Sequence, residues 1–257
     1  MKIALCLFGQ PRLLVESSQY ILKNLCEGYD VDVFFHFWFD ENLQKKPYKY
    51  GGAGGWEKQR IPPTAIDDAI RIYNPKLYKV EKSKVFRDST LHTDYAYYPK
   101  TAKLVPWSVH WHESDEPDYT KRMINNWMSY HYSVNQVNLL RREYEYANDF
   151  KYDWVVKVRS DAEPKQKIHY ENYDKSVVNY SGWLNQPDGM INDWLNFGGS
   201  KCMNVFMSTF NIMETLMDKC TEEFGGAWSN EMLHRKALDI FGIGHQPHQF
   251  IVTLPRF

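Results

Sequence analysis

Several features that decide the class of a chain at a glance are missing from these 257 residues. Cysteine is scarce. Cys6, Cys26, Cys202 and Cys220 form no C-x-x-C pair and no dense framework, which excludes a disulfide scaffold and predicts buried, reduced thiols in a cytoplasmic protein. Charge of one sign is not in excess. The 31 basic and 32 acidic residues leave a formal charge of -1, and no basic stripe stands out, so a nucleic-acid partner is disfavoured. Long apolar runs are absent too. Ile3 to Phe8 is the run at the N-terminus, too short for a signal-peptide core or a membrane span. There is no internal repeat and no low-complexity tract. The glycines in Gly51-Gly52-Ala53-Gly54-Gly55 lack the G-K-[ST] ending of a phosphate-binding loop, which removes support for a kinase or ATPase.

What is present is apolar and aromatic. A hydrophobic share of 43% suffices for a substantial core. Aromatic residues reach 16%, with 18 Tyr and 9 Trp, more than a core requires. Rings in a cleft stack on the apolar faces of sugars, so the surplus leans toward carbohydrate; a compositional bias toward Tyr is the alternative. Asn179-Tyr180-Ser181 fits the glycosylation acceptor pattern, which we read as accidental without a secretion signal.

Lys2 to Phe8 predicts a buried strand, turned by Gly9-Gln10-Pro11-Arg12. Leu14, Tyr20, Ile21 and Leu25 then fall at helical spacing, and Val31 to Trp38 predicts a second strand. Strand, helix, strand within forty residues is a βαβ unit and implies a parallel sheet. Residues 39–62 predict a loop, Thr64 to Tyr73 a helix stopped by Asn74-Pro75, and Leu77 to Val80 a strand. Residues 81–119 show no period and predict an insertion within one domain spanning 1–257. Met123, Trp127, Tyr130, Val134, Val137 and Tyr144 mark one face of a helix over Lys121 to Tyr146. A strand over Trp154 to Val158, another over Leu195 to Gly199, helices over Met203 to Met217 and Asn230 to Phe241, and a last short strand complete the expectation. The fold class is α/β, a mainly parallel twisted sheet flanked by helices.

The stretch Arg159-Ser160-Asp161-Ala162-Glu163-Pro164 carries the most chemistry. In an extended chain Asp161 and Glu163 point to one side, at the carboxyl edge where ligands bind in open α/β folds. Mg²⁺ and Mn²⁺ prefer oxygen and take one or two carboxylates plus substrate phosphates. Such an ion can offset charge on a departing diphosphate, and Arg159 shares the parity needed to reach a phosphate oxygen. A solvated acidic turn before Pro164 is the competing reading. His110-Trp111-His112-Glu113, with Asp115, matches no closed zinc pattern and reads as an exposed loop.

Taken in order, Phe8-Gly9-Gln10-Pro11-Arg12, Asp32-Val33-Phe34-Phe35-His36-Phe37-Trp38 and Val158-Arg159-Ser160-Asp161 resemble a group of GT-A-type glycosyltransferases of bacterial surface-polysaccharide clusters and large algal DNA viruses. The resemblance covers roughly residues 1–40 and 120–245. It implies a GT-A-like (Rossmann-like) fold and transfer of a sugar from a nucleotide-diphosphate sugar to a glycan or other hydroxyl acceptor. It also implies Mn²⁺ or Mg²⁺ held by a D-x-D motif, here Asp161 with Glu163 in place of the second aspartate, and a third ligand from His245 or His248. The turn of Gly9, Gln10 and Arg12 would contact the nucleotide. Glycine admits close backbone approach there, and arginine offers phosphate a fork. His36 and Trp38 would border the base or ribose, with a satisfied core histidine as the other reading. Glu231 resembles the general base of inverting enzymes, with an acidic residue placed at a helix N-terminus by the dipole as the other reading, and Asp193 is its rival for donor or acceptor contact. Two other classes stay open: a non-catalytic carbohydrate-binding module, and a sugar nucleotidyltransferase.

Overall fold

The computed structural model describes residues 1–40, 61–84, 86, 117–182, 190–224 and 230–254, with the side chains of 117–125, 221 and 224 left aside. Residues 41–60 of the expected loop at 39–62, most of the expected insertion at 81–119 and the His110–Asp115 stretch lie outside the described residues.

The chain alternates as its periodicity predicts. Strand β1 (Lys2–Gly9) is followed by helix α1 (Leu14–Ile21), which widens into a π-type turn over Leu22–Cys26, and by strand β2 (Asp30–Trp38). Helix α2 (Ala65–Tyr73) ends at Asn74, whose left-handed backbone (φ 42°) returns its N–H to the Ile70 carbonyl. Strand β3 (Leu77–Glu81), the long helix α3 (Pro117–Ala147) and strand β4 (Trp154–Arg159) come next. Strands β5 (Glu163–Pro164), β6 (Val178–Ser181) and β7 (Leu195–Gly198) lead to helices α4 (Ser200–Met207), α5 (Met213–Phe224) and α6 (Asn230–Ile240). Strands β8 (His245–His248) and β9 (Val252–Thr253) close the chain.

Seven strands form one sheet in the order β3-β2-β1-β4-β7-β6-β8, and β5 pairs with β9 apart from it. β1 is parallel to both β2 and β4, and β3 to β2. β7 is antiparallel to both β4 and β6, while β8 is parallel to β6, so a single strand runs against the others. The reversal at β7 was not legible in the sequence. Gly198 ends this strand, and a Cβ there would meet the Val177 carbonyl and the Cys202 sulfur at 2.6 Å as the chain turns into α4.

The single helix expected over Met203 to Met217 is two, α4 and α5, separated by a tight turn at Thr209–Ile212. The Thr209 hydroxyl donates to the Phe206 carbonyl at 2.5 Å and competes there with the helix backbone.

Alternation along the strands sends Ile3, Leu5, Leu7, Val156 and Val158 to the face covered by α1, α2 and the C-terminal tail. Ala4, Cys6, Phe8, Phe34 and Val155 face α3, α4 and α6. Trp127 and Met128 of α3 join α5 and α6 in a third cluster. Burying each large apolar side chain contributes about 1.5–3 kcal/mol. The central strands, sealed on both faces, therefore hold the fold together.

All four cysteines are free thiols, and burial pushes those of Cys6, Cys26 and Cys220 up to about 12. Asn179 is fully buried and donates to the carbonyls of Asp174, Val177 and Phe197, so the glycosylation pattern around it is closed to modification in the folded chain. Among the described residues no helix is long and apolar enough to cross a membrane.

Candidate functional site at the carboxyl edge of the sheet

From β1 the chain steps outward through β2 to β3, then crosses back to place β4 on the other side of β1. The loops after β1 and β4 therefore stand as two neighbouring banks at the carboxyl edge, where open α/β sheets bind ligands, and both run to the face covered by α1.

Gly9, Gln10 and Arg12 line one bank. Gly9 has φ 100°, which only glycine adopts without strain, and a Cβ there would meet no described atom within 4 Å. Its N–H donates to Ser133 Oγ of α3 at 3.1 Å. On the other bank Ser160 donates its hydroxyl to the Gln10 carbonyl at 2.8 Å and fastens the two loops together.

Asp161 lies between them. Arg159 donates to both of its carboxylate oxygens, through Nε and a terminal nitrogen, each at 2.9 Å. Arg12 stands 3.7 Å from one of those oxygens. Burial alone would raise the Asp161 pKa, but the two guanidinium groups outweigh it and hold the carboxyl below its usual range. The side chains are 21% exposed for Arg159, 13% for Arg12 and 3% for Asp161, so the cations face outward and the carboxylate lies behind them.

Asp193 and Glu231 approach the same edge from the antiparallel side. The Arg159 N–H donates to the carbonyl of Trp194, beside Asp193. The Glu231 carbonyl, on the first turn of α6, accepts from the Ile191 N–H. Lys157 joins the two regions. Its ammonium is fully buried, donates to the Asp193 carbonyl and to Asn196 Oδ1, and lies over the rings of Phe8, Tyr130 and Phe206. Burial pushes its pKa down to about 7; the charges of Asp193 and Glu231 work against that shift, and Arg159 adds to it. The turn before β7 is held by Asn196, which donates to the Asn192 carbonyl, and by Asn192, which accepts from the Trp194 N–H.

His36 is placed differently from a ligand-facing residue. It is fully buried at the end of β2, with Nδ1 2.8 Å from Ser133 Oγ and Nε2 2.9 Å from Glu81. Burial lowers its pKa to about 4. Glu81 also takes Lys84 and Tyr132, and this donor set carries its pKa down to about 2 against the opposing effect of burial. An ionised Glu81 makes Nε2 of His36 the donor and Nδ1 the acceptor from Ser133. His36 thus ties the ends of β2 and β3 to α3, and through Ser133 to Gly9. Trp38 stacks on Tyr132 in the same cluster.

The residues expected to hold a metal are dispersed. The Ser160–Asp161 segment is a turn, closed by the Ala162 N–H on the Arg159 carbonyl, so the parity of an extended chain does not apply to Asp161 and Glu163. Glu163 sits in β5 and accepts from Lys165 and Thr253. His245 and His248 lie on the edge strand β8, three strand spacings from β4, or about 14 Å. His245 is 3.5 Å from the Tyr180 hydroxyl, and His248 Nε2 is 2.7 Å from Asn179 Oδ1. Among the described residues no three His, Cys, Asp or Glu side chains form a group able to hold a metal ion. A divalent cation on Asp161 would share its oxygens with the guanidinium of Arg159 and lie close to that positive charge. Among the described residues, Asp161, Glu163 and His245 do not come together as the donor set of one ion.

Lys157 and Ser133 escaped the sequence reading, and Tyr130 was read only as part of the apolar face of the long helix. One signal was available: Lys157 interrupts the strand Trp154–Arg159, and a strand buried on both faces otherwise reads as a continuous apolar run. Ser133 carries no such mark; its role comes from three elements meeting at its hydroxyl. No family model matches the chain, and no curated protein matches it.

Proposed function

We propose that the chain is a glycosyltransferase of GT-A-like architecture that moves a sugar from a nucleotide-diphosphate sugar to a hydroxyl group of a glycan acceptor. The observation that carries this reading is the carboxyl edge at β1 and β4, divided between the cations Arg12 and Arg159 and, toward β7, the acids Asp193 and Glu231. Such a division suits a donor whose leaving group gathers negative charge while its acceptor loses a proton. Arg12 and Arg159 offset the charge on the diphosphate as the bond between sugar C1 and phosphate oxygen breaks. The acceptor oxygen bonds to C1 from the opposite face, and its proton passes to Glu231, which makes the transfer inverting. Asp193 orients the acceptor or the sugar.

Thermal-shift measurements with UDP-, GDP-, TDP- and CMP-sugars test the donor. Ligand at a hundredfold excess over Kd stabilises the native state by about 2.7 kcal/mol. Turnover with the donor so identified should fall by roughly 10²–10⁴-fold in Glu231→Gln while donor binding persists. A cooperatively melting protein that no nucleotide sugar stabilises would remove this reading.

A further inference from the structure

We propose that Lys157 is a positioning residue for Asp193, its buried amine fixing the Asn192–Trp194 turn that presents the Asp193 carboxylate at the carboxyl edge. The inference rests on the reading above, in which Asp193 orients the acceptor or the sugar, and adds the residue that holds Asp193 in place.

Three observations converge on it. Lys157 and Asn196 stand opposite each other where β4 runs antiparallel to β7. From there the Lys157 amine donates to Asn196 Oδ1 at 2.8 Å and to the Asp193 carbonyl at 2.5 Å. Three N–H groups of the ammonium, or two of the neutral amine, suffice for both bonds. The second observation is that every carbonyl of the turn is engaged. Asn196 Nδ2 donates to that of Asn192 at 2.7 Å, Lys157 to that of Asp193, and the Arg159 N–H to that of Trp194 at 3.0 Å. The Asn192 side chain closes the turn by accepting the Trp194 N–H at 2.7 Å. Asn192 is buried and Asp193 partly exposed, so the chain surfaces at Asp193 with its backbone already fixed. Its carboxylate keeps only the freedom of its own side-chain bonds. Third, packing alone does not call for an amine here. Lys157 is fully buried against the rings of Phe8, Tyr130 and Phe206, where an unbranched apolar side chain would avoid the cost of desolvating a charge. Both oxygens that offset this cost belong to the turn or to the asparagine bracing it. The Tyr130 hydroxyl, 2.8 Å from His234 Nε2, approaches the same Asp193 carbonyl at 3.5 Å.

Hydrogen exchange of the full chain, read at single amides by NMR in the wild type and in Lys157→Met, tests the tether without any ligand. The Trp194 and Arg159 N–H groups should exchange about tenfold faster or more in the variant, relative to the amides of β1 and β2. Nucleotide release from UDP-, GDP-, TDP- and CMP-sugars, with maltose, lactose and cellobiose as acceptors, tests the route through Asp193. Lys157→Met and Asp193→Asn should each lower kcat/KM. The double variant should fall no more than about twofold below the weaker single one, the non-additivity of residues that act as one unit. Additive losses would overturn the inference and leave the transferase reading standing. Unchanged exchange at the turn, or equal acceleration throughout the sheet, would overturn it whatever the activity. Faster exchange at the turn in a chain that releases nucleotide from no sugar would support the tether and remove the transferase reading. Should Lys157→Met fail to fold, Lys157→Gln, which keeps an N–H for one of the two acceptors, takes its place in the same comparisons.

Discussion

A lysine in the middle of a parallel strand is costly, and Lys157 shows how that cost is contained. Two oxygen acceptors and three aromatic rings surround its ammonium, yet burial still pulls its pKa from 10.5 to about 7. Between those two pH values the unfolded chain carries a proton that the native chain lacks. Stability from this group therefore rises with pH from about 7 toward 10.5, by at most about 1.4 kcal/mol per pH unit, and is lost as pH falls back through 7. Urea denaturation at pH 7 and pH 9 should show the wild type gaining stability relative to Lys157→Met across that interval; parallel behaviour of the two proteins would exclude the buried, neutral lysine. His36 works in the acid range by the same logic. Its folded pKa lies below the ordinary imidazole value of 6.5, so its contribution is complete above that value and is lost as pH falls toward about 4.

At the scale of the element, α3 does more than cover the sheet. One side carries Trp127, Val134 and Val137 into the core, as its spacing predicts. The same helix also buries His131, Ser133, Asn138, Arg141 and Glu145, which periodicity of apolar residues does not anticipate. Arg141 donates to Glu145 and Ser200 at 2.8 and 2.7 Å and reaches Asn138 and Asn204. Glu145 in turn accepts the Tyr152 N–H and a bond from Lys151. The pair pins α3 to α4 and to the turn that starts β4, and so sets where Arg159 emerges. Removing one member of a buried ion pair leaves the other uncompensated, at a cost of about 3–5 kcal/mol. Arg141→Met should lose stability on that scale in chemical denaturation, and adding Glu145→Met should restore part of it. A loss under about 1 kcal/mol in Arg141→Met would mean the network is not needed to hold these elements together.

For the molecule as a whole, stability should fall from the middle of the sheet to its edges. β1 has Ile3, Ala4, Cys6 and Leu7 fully buried, whereas β8 at one margin is partly exposed at every residue. Hydrogen exchange followed by mass spectrometry should find β1, β2 and β4 slowest and β3 and β8 faster, with protection tracking apolar burial. Uniform protection across the sheet would contradict that gradient. The strands and helices were largely legible because alternation and helical spacing are local, one-dimensional signals. The β1-α1-β2 unit, α2 with its stop at Asn74 and the core face of α3 follow from them directly. Gly9, Gln10, Arg12 and Arg159 were equally legible as an edge-of-strand constellation, because a βαβ order brings such loops to one end of the sheet. What neighbours each side chain is a different kind of information. Whether Asp161 meets a metal or a guanidinium depends on the turn at Ser160 and on Arg12, nearly 150 positions earlier. Whether His36 faces a ligand or Glu81 depends on the pairing of β2 with β3. Local pattern along the chain is enough to mark its strands and helices and the edge that carries the charged loops. The reversed β7, the burial of Lys157 and the pairing of Asp161 with two arginines come from folding in three dimensions, because they follow from long-range contacts that no local pattern records.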